Sequence, residues 1–340
     1  MKKIFTISLL IILVSAALGT WWTFGPSTTF TESKKAFYIE AGSSFTKVQR
    51  DLERLDFVKH NRTFKIISKL FKYNENIKPG RFVFEKNASI YTIFRTLRSG
   101  RQTPVNLVIT KLRTKEDLAE KIAKSFECDS LAVITYLNSN DSLANYKLDS
   151  NTVMTAIIPN TYSILWNTSF PKIFKKLFYE QQKFWNVDRS KKAAALQLSK
   201  TQVYTLASIV EEETNMEEDK GKIAGVYINR MQKGMRLGAD PTVKFAMKNF
   251  ALKRIYQKHL SFPSPYNTYQ VSGLPPGPIC TPSQKTIDAV LNAAATNYLY
   301  FVAKPDFSGY SNFAETYTQH LIFAKAYQGA LDTLMKKRTQ

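Results

Sequence analysis

Three consecutive glutamates, Glu211, Glu212 and Glu213, end an apolar stretch of a chain that is otherwise strongly basic. Read as a helix, the stretch from Thr205 to Thr214 places apolar side chains and the last glutamate at positions i, i+3, i+4 and i+7, which share one face. A carboxyl at the edge of an apolar wall keeps its proton to a higher pH, because burial disfavours the charged form. Such a group can serve as a general acid near neutral pH. The alternative is a solvated helix surface, which is the commoner role of an acidic cluster.

The balance of charges narrows the classes of partner. The 340 residues include 48 Lys and Arg against 27 Asp and Glu, a formal net charge of +21. Such a charge favours a polyanion, which could be nucleic acid, anionic lipid or a cell-wall polymer. A hydrophobic content of 44% argues against a disordered chain, and the length suggests two domains or three.

Cysteines and histidines are few and widely spaced. Cys128 and Cys280 allow one disulfide but no framework of disulfides. His60, His259 and His320 lie far apart in the chain and form no metal-binding spacing. We therefore expect neither a metal site nor a cofactor.

The first 25 residues predict a membrane anchor. Residues 4–22 form an apolar run without a charge, about 28 Å long as a helix, close to a hydrocarbon thickness of about 30 Å. Lys2 and Lys3 precede the run and Trp21 and Trp22 close it, so the positive-inside rule places the rest of the chain outside the cytoplasm. The alternative is a cleaved signal peptide, since residues 15–19 are mostly small. Either segment would export the protein, which argues against nucleic acid as its partner.

A small α+β module is expected at residues 36–103, after a polar linker at 26–35. The residue patterns predict a strand, two helices, a turn with a second strand, and a third helix, at 36–40, 45–55, 63–71, 78–84 and 89–97. The module is either a spacer that sets the height of the next domain above the membrane or a carbohydrate-binding module. The sequence leaves both interpretations open.

A mixed α/β domain at residues 104–340 is expected to carry the glutamate helix. Ser199 or Thr201 is expected to cap that helix, and Asp240 is expected to cap a later one that has Pro241 at its first position. Residues 261–282 hold six of the thirteen prolines and predict a long ordered loop of the kind that builds sites. Further strands are expected at 105–110 and 298–302, and further helices at 114–123, 174–187, 219–231, 286–295 and 316–334.

Five segments of this second domain occur in an order and spacing that carry a family resemblance. They are Ala-Ser-Ile-Val-Glu at 207–211, Val-Tyr-Ile-Asn-Arg at 226–230, Leu-Gly-Ala-Asp-Pro-Thr-Val at 237–243, Ser-Pro-Tyr-Asn-Thr-Tyr at 264–269 and Gly-Leu-Pro-Pro-Gly at 273–277. They resemble the YceG-like family of bacterial endolytic murein transglycosylases. An N-terminal anchor followed by a small LysM-like module is also that family's layout. The resemblance implies an α+β chain with an N-terminal transmembrane helix, a LysM-like module and a mixed α/β catalytic domain.

The resemblance also implies an activity and a location. It implies a single-pass protein of the bacterial cytoplasmic (inner) membrane whose catalytic domain is periplasmic and acts on peptidoglycan. The enzyme would cut nascent glycan strands internally between N-acetylmuramic acid and N-acetylglucosamine, leaving a 1,6-anhydromuramyl end. The family's catalytic glutamate follows Ser-Ile-Val directly, so Glu211 inherits that role. Peptidoglycan synthases are the expected protein partners of such an enzyme.

A lytic transglycosylase needs one carboxyl where ordinary glycosidases need two. Its glutamate protonates the leaving oxygen and then accepts the proton of the sugar's own C6 hydroxyl, which attacks the anomeric carbon. Because that nucleophile belongs to the substrate, proximity replaces an activated water. The resemblance thus selects Glu211 from the three glutamates that end the apolar helix.

The remaining candidate residues are expected to support or bind rather than react. Glu213, about 200° around the helix from Glu211, is expected to support the site through a hydrogen bond or ion pair, and Glu212 is expected to be solvated. Asp240 is expected as a cap rather than a catalyst. Asn229 and Arg230 either support the site or hold the fold. The candidates for sugar binding, whose alternative is a loop packed on itself, are Thr242, Tyr266, Asn267, Thr268 and Tyr269.

Departures from the family pattern lie at Asn160, where an acid is frequent, and at 311–313 and 319–321, where only Phe313 and His320 match. Two other functions remain open. One is a muramidase that activates water with Glu213 or Asp240 as a second carboxylate. The other is a catalytically silent protein that binds peptidoglycan or acts as a scaffold.

Overall fold

A computed structural model describes residues 2–339 and begins with an apolar helix, α1 (Lys2–Phe24). Residues Lys3–Phe24 are long and apolar enough to cross a membrane, and their most apolar window is not buried by the rest of the chain. Length and composition of this kind fit a membrane anchor or a signal sequence. The prediction of a mixed helix-and-strand chain that starts with such a helix is confirmed.

Fourteen further helices are present in the described residues. They are α2 (Phe45–Arg54), α3 (Asn61–Leu70), α4 (Ile90–Ser99), α5 (Lys115–Ser125), α6 (Ser130–Asn138), α7 (Asn140–Ala144), α8 (Phe170–Phe184), α9 (Val187–Ala195), α10 (Lys200–Glu213), α11 (Glu217–Gln232), α12 (Asp240–Ala246), α13 (Gln257–Leu260), α14 (Gln284–Leu291) and α15 (Tyr317–Thr339). Short 3₁₀ turns lie at Tyr73–Glu75 and Val153–Ala156.

The six strands of residues 2–339 form three two-stranded sheets. Antiparallel β1 (Lys34–Ile39) and β2 (Gly80–Glu85) pair with Phe37 opposite Phe82. The second sheet contains β3 (Val105–Ile109) and β4 (Asn160–Ile164). In the third, β5 (Tyr300–Ala303) is antiparallel to β6 (Ser311–Ala314).

The chain divides into two compact units. The first contains Met1–Leu107, Ala123–Cys128 and Ser163–Ser169, and the second contains Val108–Ile122, Asp129–Tyr162 and Phe170–Gln340. The first unit buries one face of β1, β2 and helices α2 to α4 in a core rich in phenylalanine. Within the stretch expected as a linker, Ser27, Thr28 and Phe30 are buried. Helix α4 begins where Ser89 accepts a hydrogen bond from the Thr92 amide, and it ends at Gly100, whose φ of 70° suits glycine.

The second unit is built around α10. Every residue from Val203 to Val210 is buried, and the helix packs against α9, α11, α12 and α14. Ser199 caps it, because its hydroxyl accepts from the Gln202 amide while the Gln202 side chain accepts from the Ser199 amide. The prediction of a capped, buried helix that ends in the glutamates is therefore confirmed.

Two strands and one helix break were missed by the sequence analysis. Residues 160–164, where no strand was expected, form β4, and β6 occupies 311–314. Each strand is only four or five residues long, too short for a clear alternation of apolar and polar residues. The helix expected at 174–187 ends at Phe184 instead, and Asn186 caps α9 by accepting from the Arg189 amide at 2.9 Å.

Candidate active site

The last turn of α10 presents the Glu211 side chain, which is 16% exposed. Three donors meet its carboxyl. The Ser283 hydroxyl donates to Oε2 at 3.1 Å, the Thr286 hydroxyl donates to the same oxygen, and Lys220 Nζ lies 3.5 Å from it. All hydrogen bonds and ion pairs that the described residues make with this carboxyl fall on Oε2, and none falls on Oε1.

Lys220 is a cation held in the protein rather than in water. Its side chain is 5% exposed, and besides Glu211 it pairs with Glu217 at 2.7 Å, one turn earlier on α11. Lys220, held by Glu217 in the first turn of α11, therefore places a positive charge against the end of α10. A buried charge is tolerated only when it is paired, so this lysine and Glu211 constrain one another.

An open cleft of about 360 Å³ lies beside Glu211. Residues 108–111, before α5, form one side of it, residues 159–161 form another, and the chain before α14 supplies Thr281 and Ser283. Among the described residues that line this cleft, Glu211 alone carries a carboxyl. The other lining residues are Val108, Ile109, Thr110, Lys111, Pro159, Asn160 and Thr161.

Glu212 is not solvated, contrary to the expectation from sequence. Its side chain is 16% exposed and pairs with Lys111 at 2.7 Å and with Arg113 at 3.0 Å. Both cations come from the chain just before α5, about a hundred residues earlier, where no local pattern links them to the triplet. Glu212 therefore ties the end of α10 to the segment that lines the cleft.

Glu213 points to a different neighbourhood from Glu211. The Tyr227 hydroxyl of α11 donates to its Oε1 at 2.6 Å, and Tyr227 is 1% exposed. Burial raises the pKa of Glu213 to about 7, and the nearby Asp240 carboxylate adds to the shift, while the Tyr227 hydrogen bond and Arg230 oppose it. This carboxyl therefore gains and loses its proton near neutral pH.

A pH dependence of stability follows from the raised pKa of Glu213. The folded chain binds this proton more tightly than an unfolded chain, whose glutamates have an ordinary pKa of 4.5. The stabilisation is fully present below about pH 4.5 and is lost as the pH rises through about 7, up to about 3 kcal/mol in total. Glu213→Gln keeps an acceptor for Tyr227 but cannot ionise, so we expect it to flatten this loss.

Urea unfolding of the detergent-solubilised chain at pH 5 and at pH 8 measures the effect. The matched control is Glu218→Gln, which removes an exposed carboxyl from the first turn of α11. The control is expected to keep the wild-type pH slope. An unchanged slope in Glu213→Gln would show that Glu213 does not cause it.

The side chains of Asn229 and Arg230 donate their hydrogen bonds to backbone carbonyls. Asn229 Nδ2 donates to the carbonyls of residues 296 and 298, at 2.6 and 3.0 Å. Arg230 donates to the Leu299 carbonyl at 2.7 Å and to the Leu237 carbonyl at 2.5 Å. Its guanidinium also lies 5.4 Å from the ring of Tyr300. These contacts join α11 to the segment before β5, so both residues hold the framework of the second unit.

Asp240 is the first residue of α12 and not its cap. Ala239 occupies the N-cap position, where no side chain of residues 2–339 provides a capping hydrogen bond. The Asp240 carboxylate instead accepts from the Tyr269 hydroxyl at 2.7 Å, and burial together with this bond raises the pKa of Tyr269. The prediction of Asp240 as a cap is therefore wrong by one position, because Pro241 sits one residue later in the first turn than expected.

The predicted sugar-binding loop is held by contacts with α12 and with the residues around position 260. The Thr268 hydroxyl accepts from the Ala239 amide and bonds the Thr242 hydroxyl at 2.9 Å, while Asn267 Nδ2 donates to two carbonyls of residues 260 and 262. The Tyr266 ring lies 4.8 Å from the ring of Phe245. Within the described part of the chain, residues 266–269 are not among those that line the cleft beside Glu211.

Sequence reasoning missed the residues that contact Glu211. Ser283 and Thr286 lie 72 and 75 residues after it, and Lys220 lies in a segment read only as a helix. Ser283 does precede a helical pattern and is the N-cap of α14, so a search for caps could have found it. No comparable signal marks Lys220.

The two cysteines are both thiols. Cys280 is buried and donates to the Ser208 carbonyl at 3.4 Å, and Cys128 donates to the Thr168 carbonyl at 3.5 Å. Burial raises the pKa of Cys280, which keeps that thiol protonated.

The Ser208 hydroxyl also accepts from the Ile279 amide at 3.0 Å, so α10 holds the end of the proline-rich loop.

Comparison with known proteins agrees with the resemblance read from the five segments. Residues 37–326 match the model of the YceG-like family. The endolytic murein transglycosylase of Bacillus subtilis strain 168 is 28% identical over 298 residues, which cover 83% of this chain and 81% of that protein. The endolytic murein transglycosylase of Streptococcus pneumoniae serotype 2 strain D39 is 26% identical over 88% of this chain, which spans only 61% of that longer relative.

A solved structure agrees as well. The crystal structure of a YceG-like protein from Listeria monocytogenes superposes with a TM-score of 0.56 at 26% identity, covering 85% of this chain and 99% of that one. The family match covers most of the chain and includes both Glu211 and the loop at 261–282. The chain belongs to the YceG-like family.

Proposed function

We propose that this chain is a membrane-anchored endolytic murein transglycosylase. Its substrate would be the glycan strand of peptidoglycan, cut between N-acetylmuramic acid and N-acetylglucosamine to leave a 1,6-anhydromuramyl end. Family membership and the names of two relatives support the activity. The observation that carries the mechanism is that Glu211, alone among the described residues that line the open cleft, carries a carboxyl, one oxygen of which is engaged by three donors.

The asymmetry of the carboxyl suits one group that serves first as acid and then as base. With Oε2 engaged by Ser283, Thr286 and Lys220, the proton would be carried on Oε1. Oε1–H would donate its proton to the glycosidic oxygen as the bond to the anomeric carbon breaks. The C6 hydroxyl of the same muramic acid would then attack that carbon, and its proton would return to Oε1. No water is consumed, and the enzyme ends as it began.

Lys220 and the two hydroxyls would stabilise the carboxylate between the two proton transfers. During that interval the sugar carries positive charge and Glu211 carries negative charge, and fixed donors around Oε2 need not reorganise. The carboxylate would also lie near the cationic sugar. The three donors therefore position Glu211 and moderate its charge rather than touch the substrate.

Two observations favour this single-carboxyl mechanism over a hydrolytic muramidase. A hydrolase requires a second carboxyl across the scissile bond. Glu213 is bonded to Tyr227, Asp240 is bonded to Tyr269, and neither is among the described residues that line the cleft. An internal cut by either mechanism needs a site that accepts the middle of a polymer, and the cleft is open rather than enclosed.

The remaining parts of the chain fit a membrane-bound wall enzyme. We propose that α1 is an uncleaved single-pass anchor of the cytoplasmic membrane and that the catalytic domain, at 104–340, is periplasmic. Residues 36–103 would be the LysM-like module, joined to the anchor through 26–35. A net charge of +21 would favour anionic wall polymer. Peptidoglycan synthases are the partners that such an activity on nascent strands calls for.

Mass spectrometry of the glycan fragments tests the reaction. The full-length protein in detergent is incubated with uncrosslinked peptidoglycan, and the released fragments are compared with those from a known hydrolytic muramidase. We expect fragments lighter by one water than the hydrolysis products, with no reducing muramic acid end, because the C6 hydroxyl replaces water as the nucleophile.

Two other outcomes would each reject this proposal. Reducing ends would keep an enzyme but make water the nucleophile, and would return attention to Glu213 and Asp240. Absence of any fragment, with a protein that still binds peptidoglycan, would favour the silent binding or scaffold protein.

A further inference from the structure

We propose that the outer face of α4 binds the headgroups of anionic phospholipids beside the point where α1 leaves the bilayer. The face consists of Tyr91, Arg95 and Arg98, together with Phe71 at the end of α3, and we call it the α4 face. This function goes beyond the proposed enzymatic activity. It rests on α1 being an anchor and does not rest on Glu211.

The end of α1 is packed against the module of the first unit. The Phe24 ring lies 5.1 Å from that of Tyr91, and the Trp22 ring lies 5.8 Å from that of His60. The residues that follow α1 are fixed to the module, because Ser27 is buried and its backbone N–H donates to the Ala88 carbonyl at 3.1 Å. Tryptophans at the end of a spanning helix lie at headgroup level. Tyr91 is therefore held at the same level.

Helix α4 extends a basic stripe from that point. Tyr91, Arg95 and Arg98 are spaced i, i+4 and i+7, so they share one side of the helix. All three are exposed, whereas Ile90, Ile93 and Leu97 bury the opposite side of the helix in the core of the unit. An arginine reaches several ångströms from its helix, and its guanidinium suits a phosphate.

The charged side chains of α3, α4 and the residues that follow each helix have one sign. Residues 61–72 and 89–101, which contain α3 and α4, hold seven Lys or Arg and no Asp or Glu. A basic surface next to the end of a membrane helix attracts anionic lipid, at about 1 kcal/mol per basic residue. The surface thus complements a negatively charged bilayer.

The α4 face is also concave and partly apolar. A hollow of about 400 Å³ is lined by Phe71, Tyr91, Phe94, Arg95, Arg98 and Ser99. The Arg98 guanidinium lies 5.6 Å from the Phe71 ring, which is 46% exposed. The phosphodiester of a phospholipid would pair with the arginines, and its apolar glycerol ester would pack on the aromatic rings beneath them. Aromatic side chains are typical of membrane interfaces.

Electron spin resonance of spin-labelled lipid tests the proposal on the full-length chain reconstituted in phosphatidylcholine vesicles. The fraction of motionally restricted label gives the affinity for phosphatidylglycerol relative to phosphatidylcholine. We expect Arg95→Gln with Arg98→Gln to lower the selectivity of the wild type for phosphatidylglycerol by at least about fivefold at low ionic strength, the factor expected for one basic residue. Arg95→Lys with Arg98→Lys is expected to retain most of it.

The matched control is Lys172→Gln with Lys175→Gln. These exposed lysines lie on α8 of the second unit, with the same spacing of three residues and the same loss of charge. The control is expected to keep the wild-type selectivity, and so is Glu211→Gln, which separates this result from the enzymatic proposal. Wild-type selectivity in the Arg95 and Arg98 variant, or an equal loss in the α8 control, would overturn the proposal. So would a wild type without selectivity.

Discussion

Glu211→Gln is expected to lower kcat on uncrosslinked peptidoglycan by about three orders of magnitude, within the range that general acid–base catalysis contributes. The amide can still accept the hydroxyl hydrogen bonds of Ser283 and Thr286, so the local packing is retained. It has no acidic proton to give to the leaving oxygen, and it cannot take one from the C6 hydroxyl. Both proton transfers are lost together, because the same group performs them. The measurement is the rate at which anhydromuramyl ends appear at saturating substrate.

The control for that loss is Glu218→Gln. Glu218 is an exposed carboxyl only seven residues further along the chain, at the start of α11, and the substitution makes the same change of charge. It is expected to leave kcat unchanged. If Glu211→Gln retained kcat within about tenfold of the wild type, the contribution of a general acid would be missing and the role proposed for Glu211 would fail.

Lys220→Met is expected to lower kcat by about a hundredfold with little change in KM. Methionine fills a similar volume, so the main loss is the cation 3.5 Å from Glu211 Oε2. Without it the carboxyl is free to change its orientation, and misplacement of a catalytic group by about 1 Å can cost a factor of about a hundred. The negative charge left on Glu211 after proton transfer is also less well stabilised. Since Lys220 does not touch the substrate in this mechanism, the effect belongs to kcat.

Two further variants separate positioning from stability. Lys222→Met lies on the same helix, where its side chain is 48% exposed, and is expected to keep the wild-type kcat. Lys220→Arg retains the charge and is expected to recover much of the lost activity. Assays are run well below the melting temperature of each variant, because removing one partner of a buried pair also destabilises the fold. A rise in KM with unchanged kcat in Lys220→Met would contradict a positioning role.

The helix that carries the candidate acid was predictable because its signals are local. The capping box of Ser199 and Gln202, the buried run at 203–210 and the end at the glutamates all follow from spacing along one helix. The same is true of α4, which Ser89 begins and Gly100 ends. In each case the residues that define the element are its own neighbours in sequence.

The surroundings of Glu211 were not predictable because they are assembled from distant parts of the chain. Ser283 and Thr286 belong to α14, and nothing near them indicates a carboxylate partner until α10 and α14 pack together. The prediction that Glu212 is solvated was wrong for the same reason, because only the folded chain brings Lys111 and Arg113 next to it. Nothing in the sequence distinguishes Lys220 from the other lysines of this basic chain. Periodicity identifies buried faces, but it does not identify which charges meet.

Ser283 imposes a constraint on how this family member could diverge. Its hydroxyl accepts from the Thr286 amide at 3.2 Å, which caps α14, and donates to Glu211 at 3.1 Å. Alanine would lose a cap worth about 1 kcal/mol and a positioning donor in one step. Threonine keeps both, so it is the replacement that evolutionary drift could accept. Selection for a stable helix and selection for a working acid therefore act on one oxygen atom, and neither trait can be improved there independently.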